Sequence, residues 1–315
     1  MSGEEDGLNG SSFYAHHPLS VPIDDEESRG ISSAPRRATI RPAMIQELFR
    51  IGPFAISPFG VMLVLSFVAG YLQLLWGMRR FGLGDDEDAS AIVFAAGVGG
   101  IVGAKIYYAL LNRDLAVLFD RSGLVWYGGL ILGAAAVLFT MYKRRLFVWR
   151  MADVAALALA LGYGVGRIGC FLVGDDYGRP TDLPWGVAFP VGLPPTTAGE
   201  LRSLFGVDIP ASVADSELLR VHPTQIYETL ASLAIWGFGL WLLRRREGED
   251  RGVGVVALTV IALMAVERFL VEILRAKDDR FFGSFTLAQV ISVLIVAVVL
   301  AISWMRRRRL QLRTA

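Results

Sequence analysis

Gly162-Tyr163-Gly164-Val165-Gly166-Arg167-Ile168-Gly169-Cys170-Phe171 closes an apolar run that begins near Met151 and is long enough to enter a bilayer. An arginine inside such a run costs about 2.5–3.5 kcal/mol on insertion scales, so it persists where it faces protein or a polar cavity instead of lipid. The glycines around it let backbone or a ligand come close. The stretch therefore predicts a membrane-embedded helix whose last turns line a polar interior.

The rest of the chain agrees with a membrane protein. Of its 315 residues 54% are hydrophobic and the mean hydropathy is +0.48, beyond what a soluble domain of this length usually carries. The formal net charge of +1 leaves no electrostatic footprint for nucleic acid. The single cysteine, Cys170, excludes an internal disulfide framework, and with only His16, His17 and His222 no histidine or cysteine metal site is expected.

Residues 1–45 are polar and rich in Gly, Ser, Pro and acid, and read as a disordered tail. They lack a basic segment followed by an apolar one, so no cleavable signal peptide is expected. Seven apolar runs follow, over about Phe54–Met78, Ala89–Leu111, Leu124–Tyr142, Met151–Val173, Thr224–Leu243, Val253–Leu274 and Phe285–Trp304. Each is of the length that spans or deeply enters a bilayer. The third is Gly-rich at its start, which leaves a re-entrant course open. The expected fold is an all-α integral membrane protein, a seven-transmembrane helical bundle over residues 46–305, followed by a basic cytoplasmic tail at 306–315. The long linker Gly174–Val221 reads as a small extramembrane head, about 175–221, with short strands around Trp185–Pro190.

Basic residues orient the bundle. Arg79-Arg80, Lys143-Arg144-Arg145, Arg150, Arg244-Arg245-Arg246, Arg251 and Arg306 to Arg309 all fall on one side, which the positive-inside rule assigns to the cytoplasm. The C-terminus is then inside. At about 1.5 Å of rise per residue, Lys105, Arg167 and Arg268 lie at a similar depth in the outer half of the bilayer. Glu272 and Arg275 lie just beyond them, and Tyr127, His222, Gln225, Tyr227 and Glu228 begin their spans from the outside. Independent helices have no reason to put costly residues at one level, so these residues predict a shared polar cavity open to the outer leaflet. Lys105, Arg167, Arg268 and Arg275 outnumber Glu228 and Glu272, which predicts a positive surplus. Guanidinium forks match phosphate oxygens, and the abundant outer-leaflet anion is a phospholipid headgroup.

Plainer roles stand beside these. Arg167 and Arg268 fit an interhelical ion pair, with Glu228 and Glu272 as the acids. Lys105 fits a snorkelling side chain and Tyr127 an interfacial aromatic. His222 before Pro223 fits a cap, Cys170 a small buried hydrophobe, and Asp153 a carboxylate favouring the start of its own helix.

Four motifs then carry a family resemblance. Gly166-Arg167-Ile168-Gly169-Cys170-Phe171, running on to Gly174-Asp175-Asp176-Tyr177-Gly178, resembles the signature of the bacterial prolipoprotein diacylglyceryl transferases. Tyr127-Gly128-Gly129, His222-Pro223-Thr224-Gln225-Ile226-Tyr227-Glu228 and Arg268-Phe269-Leu270-Val271-Glu272-Ile273-Leu274-Arg275 agree in order and spacing. The resemblance covers roughly Phe54 to Trp304. It implies transfer of the diacylglyceryl group of phosphatidylglycerol to the lipobox cysteine of a preprolipoprotein signal peptide, at the outer face of the bacterial inner membrane and without cofactor. By position it implies Arg167 and Arg268 as the phosphate clamp, Glu272 as support for Arg268, and Tyr127 in a catalytic place. Gly128, Gly129, Gly169, Cys170, Asp175, Gly178, His222, Gln225, Tyr227, Glu228 and Arg275 would contact substrate. A turn at Gly128-Gly129 would let acyl or headgroup atoms approach.

The chain departs from the family pattern at three positions. Tyr127 stands where the family has His, Cys170 where it has Asn, and Asp175 where it has Glu. Asp175, Asp176 and His222 remain alternative bases. The rivals are a related headgroup transferase with another acceptor, or a non-enzymatic phospholipid binder.

Overall fold

The computed structural model describes residues 47–52, 54–119, 126–146, 149–248, 253–276, 280–282 and 285–312. The expected tail at 1–45 lies outside them. The described chain is mostly helical. Seven long helices run over Pro58–Phe81 (α1), Asp86–Asn112 (α2), Trp126–Lys143 (α3), Trp149–Val173 (α4), Thr224–Arg245 (α6), Val255–Leu274 (α7) and Leu287–Leu312 (α8), with a short α5 at Ala198–Phe205. Five of them, α1, α2, α4, α6 and α8, are long and apolar enough to cross a membrane. In α7 the stripe is interrupted by Glu267, Arg268 and Glu272, and α3 is the shortest of the seven.

The architecture is not purely helical. A hairpin of Phe49–Ile51 (β1) and Phe54–Ile56 (β2), in register Phe49↔Ile56, precedes α1. The first apolar run therefore begins as a strand. Ser57 then stops it, its Oγ accepting from the Gly60 N–H at 3.1 Å, and Pro58 opens the helix, where a missing N–H costs nothing. A second hairpin, Arg280–Phe282 (β3) with Phe285–Thr286 (β4), leads into α8. There Thr286 and Gln289 bond each other's backbone N–H at 3.3 and 3.1 Å, a reciprocal cap of the capping-box kind.

The chain forms two compact units. The smaller holds residues 90–145, most of α2 with α3. A Cβ on Gly103 would overlap the Gly128 carbonyl oxygen and come within 2.6 Å of Leu132 Cβ, and one on Gly129 would lie 3.0 Å from the Gly100 carbonyl oxygen. Gly128 and Gly129 are thus helical residues that let α3 meet α2 backbone to backbone, as small residues do in membrane helix pairs. This corrects the expected turn for substrate approach. Gly103→Ala is expected to destabilise this unit by about 1–3 kcal/mol, since the overlap is with backbone and Leu132. A thermal scan of purified protein checks it; an unchanged midpoint would contradict the seam.

The larger unit contains α1 and α4 to α8. Leu157, Ala160, Leu243, Val256, Ala257 and Val260 form its buried apolar core between α4, α6 and α7. The expected strands around Trp185–Pro190 do not form. Pro184 and Pro190 lack the N–H a ladder needs, and only isolated bridges such as Val187↔Val221 and Thr197↔Leu218 occur. The linker instead packs Tyr177, Val187, Phe189, Leu201 and Val221 into a small core beside α5.

Asp153 also departs from expectation. Its carboxylate serves another helix, accepting from Gly254 N at 2.7 Å and Ala257 N at 2.8 Å. The N-cap of α7 is Gly254, which has no side chain to cap with, so α4 supplies the oxygens.

Candidate functional site

Arg167 stands six residues from the end of α4 and is buried. The C-terminal turns of α4 and α7 and the first turns of α6 lie at one end of the larger unit, and their polar residues meet there. Arg167 forms an ion pair with Glu228 of α6 and donates to Asp176 at 2.9 Å. Glu228, fully buried, also lies 3.9 Å from Arg268 of α7 and accepts from the Tyr163 hydroxyl at 2.9 Å. One carboxylate is thus shared by the two arginines and a tyrosine. Arg268 pairs with Glu272 one turn on at 2.5 Å, the i,i+4 contact expected from sequence. Arg275 pairs with Asp176 and lies 3.9 Å from Glu272. A cycle of charges links α4, the residues following it, α6 and α7.

The cluster is not the cationic pocket expected. In the larger unit Arg167, Arg268 and Arg275 face Asp176, Glu228, Glu272 and Glu267. Two of these acids escaped the sequence reading of the cavity's charge. Asp176 lies beyond the span and entered only as a candidate base, yet it bonds two arginines. Glu267, 8% exposed, has a buried oxygen with no hydrogen-bond partner. Its place beside Arg268, inside an apolar run, was the signal available. Tyr163, also missed, precedes Arg167 by one turn and so shares its face. Lys105 lies on α2, in the smaller unit.

The signature's other residues build the walls. Cys170 is buried, with its sulfur 3.5 Å from Arg167 Nη1. A Cβ on Gly169 would come within 2.9 Å of Met62 Cβ, so this glycine admits α1 against α4. Gly178 has no room for a side chain between the Leu274 carbonyl oxygen at 2.6 Å and His222 Cβ at 2.7 Å. The Gln225 amide donates to the Asp175 carbonyl oxygen at 2.5 Å, and the Thr224 hydroxyl to that of Asp176 at 2.8 Å. His222 does not cap α6, whose N-cap Pro223 has no side-chain bond. Its Nδ1 lies 3.4 Å from the Tyr227 hydroxyl, which accepts from the Trp185 indole at 2.7 Å. Tyr127 is the second residue of α3, in the smaller unit; its side chain lies outside the described residues.

Electrostatics separates the groups beyond the spans. Burial alone would raise the Asp176 carboxyl, but Arg275 and Arg167 more than offset this and hold it well below the usual range. Asp175 is pushed up to about 6, by burial first and then by the charge of Asp176. Burial lowers His222.

Comparison with known proteins adds a family to this geometry. Residues 46–305 match the family model for prolipoprotein diacylglyceryl transferase. A phosphatidylglycerol–prolipoprotein diacylglyceryl transferase of Geobacter sulfurreducens is 29% identical over 274 residues, 82% of this chain and 95% of that protein. Proteins of the same name from Clostridium tetani and Stenotrophomonas maltophilia are each 30% identical, covering 80% and 82% of this chain and 93% and 90% of their own.

Proposed function

The chain belongs to the prolipoprotein diacylglyceryl transferase family, and from that premise we propose that it moves the diacylglyceryl group of phosphatidylglycerol onto the lipobox cysteine thiol of preprolipoproteins. The observation that carries the reading is the convergence of Arg167 and Arg268, from two helices, on the single carboxylate of Glu228. A site where two guanidiniums already grip one anion can grip the phosphate of a lipid in its place.

In this reading Arg167 and Arg268 hold the phosphodiester and stabilise the charge that grows on the departing glycerol phosphate, a term that is often the largest in such chemistry. Glu272 keeps Arg268 aimed. Arg275 and Asp176 brace Arg167 from the opposite side. Cys170, Gly178, His222, Gln225 and Tyr227 shape the surroundings of the substrates. The seven long helices span the inner membrane. The arginine-rich ends and the C-terminus face the cytoplasm, with residues 175–221 as a periplasmic head and the site at the outer leaflet. The membrane domain is residues 46–305, preceded by the tail 1–45 and followed by the basic tail 306–315.

The test is replacement. In a bacterium depleted of its own transferase, expression of this chain is expected to restore the diacylglyceryl mass on a reporter lipoprotein, read by mass spectrometry. An unmodified reporter, with the chain present in the membrane, would overturn the reading.

A further inference from the structure

The proposed transfer releases a proton from the acceptor thiol, and the groups around the arginine cluster differ in their freedom to take it. Glu228 is held by Arg167, Arg268 and the Tyr163 hydroxyl, and Glu272 by Arg268 and Arg275. Asp176 is held by Arg167 and Arg275. Protonating any of these breaks an ion pair. His222 shares its Nδ1 with the Tyr227 hydroxyl. Glu267 is sealed inside the bundle.

Asp175 is placed differently. Its backbone is pinned on both sides, the N–H to the Cys170 carbonyl at 2.9 Å and the carbonyl to the Gln225 amide at 2.5 Å. Asp175 is half-buried and enters no ion pair within 4 Å among the described residues. It stands immediately after α4, beside the arginine cluster.

We propose that Asp175 is the general base that takes the proton of the acceptor thiol, an inference that rests on the transferase reading above. The S–H proton passes to an Asp175 carboxylate oxygen. The sulfur lone pair attacks the glyceryl carbon that bears the phosphate ester. The carbon–oxygen bond breaks, and its electrons leave on glycerol phosphate, where Arg167 and Arg268 meet the added charge. Asp175 then returns the proton to water.

The charged and titratable groups facing it are Asp176, Arg167 and Arg275, with Tyr177 and Cys170 nearby. Burial and Asp176 raise its carboxyl to about 6, so it is ionised and competent at neutral pH and loses that competence as the pH falls through this value. A base poised near the working pH is the effective kind.

The experiment reconstitutes the full chain in phosphatidylglycerol vesicles and follows thioether formation on a synthetic lipobox peptide from pH 5 to 9. Wild type is expected to show a rising limb centred near pH 6. Asp175→Asn is expected to lose that limb and about 10²-fold in rate at neutral pH. Its deficit should shrink as rising pH supplies thiolate directly. An unchanged rate, or a deficit equal at every pH, would overturn the proposal. Should the Asn variant not survive purification, Asp175→Glu decides: a displaced limb supports the base, and an unmoved one overturns it. A wild type that forms no thioether overturns the transferase reading itself, which keeps the two failures apart.

Discussion

Arg167→Ala is expected to abolish transfer and, separately, to weaken the fold. The first effect follows from the proposed clamp: loss of one electrostatic donor at the developing charge lowers turnover by about 10²–10³-fold. The second follows from the ion pairs. With Arg167 gone, fully buried Glu228 keeps only the 3.9 Å contact to Arg268 and the Tyr163 hydroxyl. Stranding a buried charge in this way costs about 3–5 kcal/mol. The two effects separate in a double variant. Glu228→Gln added to Arg167→Ala removes the stranded charge while keeping a group that can accept from Tyr163. It should recover most of the lost thermal midpoint and none of the transfer. If the double variant regains transfer, Arg167 is an interhelical staple and the clamp reading fails.

Asp153→Ala is expected to cost about 2–6 kcal/mol, because two buried N–H groups of the first turn of α7 lose their acceptor at about 1–3 kcal/mol each. The loss should appear as a lower unfolding midpoint. Transfer per folded molecule should stay near wild type, since Asp153 lies fourteen residues before Arg167 on α4, about 21 Å along the helix axis. Asp153→Asn, with one acceptor oxygen, should fall between the two. A midpoint unchanged by the alanine variant would mean that water replaces the carboxylate.

The helices were legible in sequence because membrane spans are written in long apolar runs, and α2, α4, α6 and α7 begin or end within a few residues of the expected positions. Their starts were less so. Phe54–Ile56 reads as apolar helix yet pairs as a strand, because Ser57 and Pro58 fix the helix start behind it. At the site, common depth correctly grouped Arg167, Glu228, Arg268, Glu272 and Arg275. Depth is blind to side chains arriving from outside the spans, so the role of Asp176 went unseen and a cationic surplus was inferred. Nor does depth say which neighbour a glycine meets. Gly128 and Gly169 looked like room for a ligand, and the room is filled by Gly103 and Met62. Asp153 shows the same limit: a carboxylate near a helix start is visible in sequence, but the helix it serves is set by tertiary packing.

The linker leaves α4 through Gly174 and Asp176, both in the left-handed region with φ of 69° and 62°. It returns to α6 at Thr224 and Gln225, whose side chains bond the carbonyls of Asp176 and Asp175, while the Gly178 N–H bonds the His222 carbonyl at 2.9 Å. The excursion is therefore closed at its neck, next to the arginines, and everything beyond that neck is a loop with fixed ends. Closing a loop of twice the length costs only about 0.6 kcal/mol more. The linker can thus change length between these anchors without moving the arginine cluster, provided those bonds, the Leu193 N–H to the Gly174 carbonyl and the Trp185 indole to the Tyr227 hydroxyl remain.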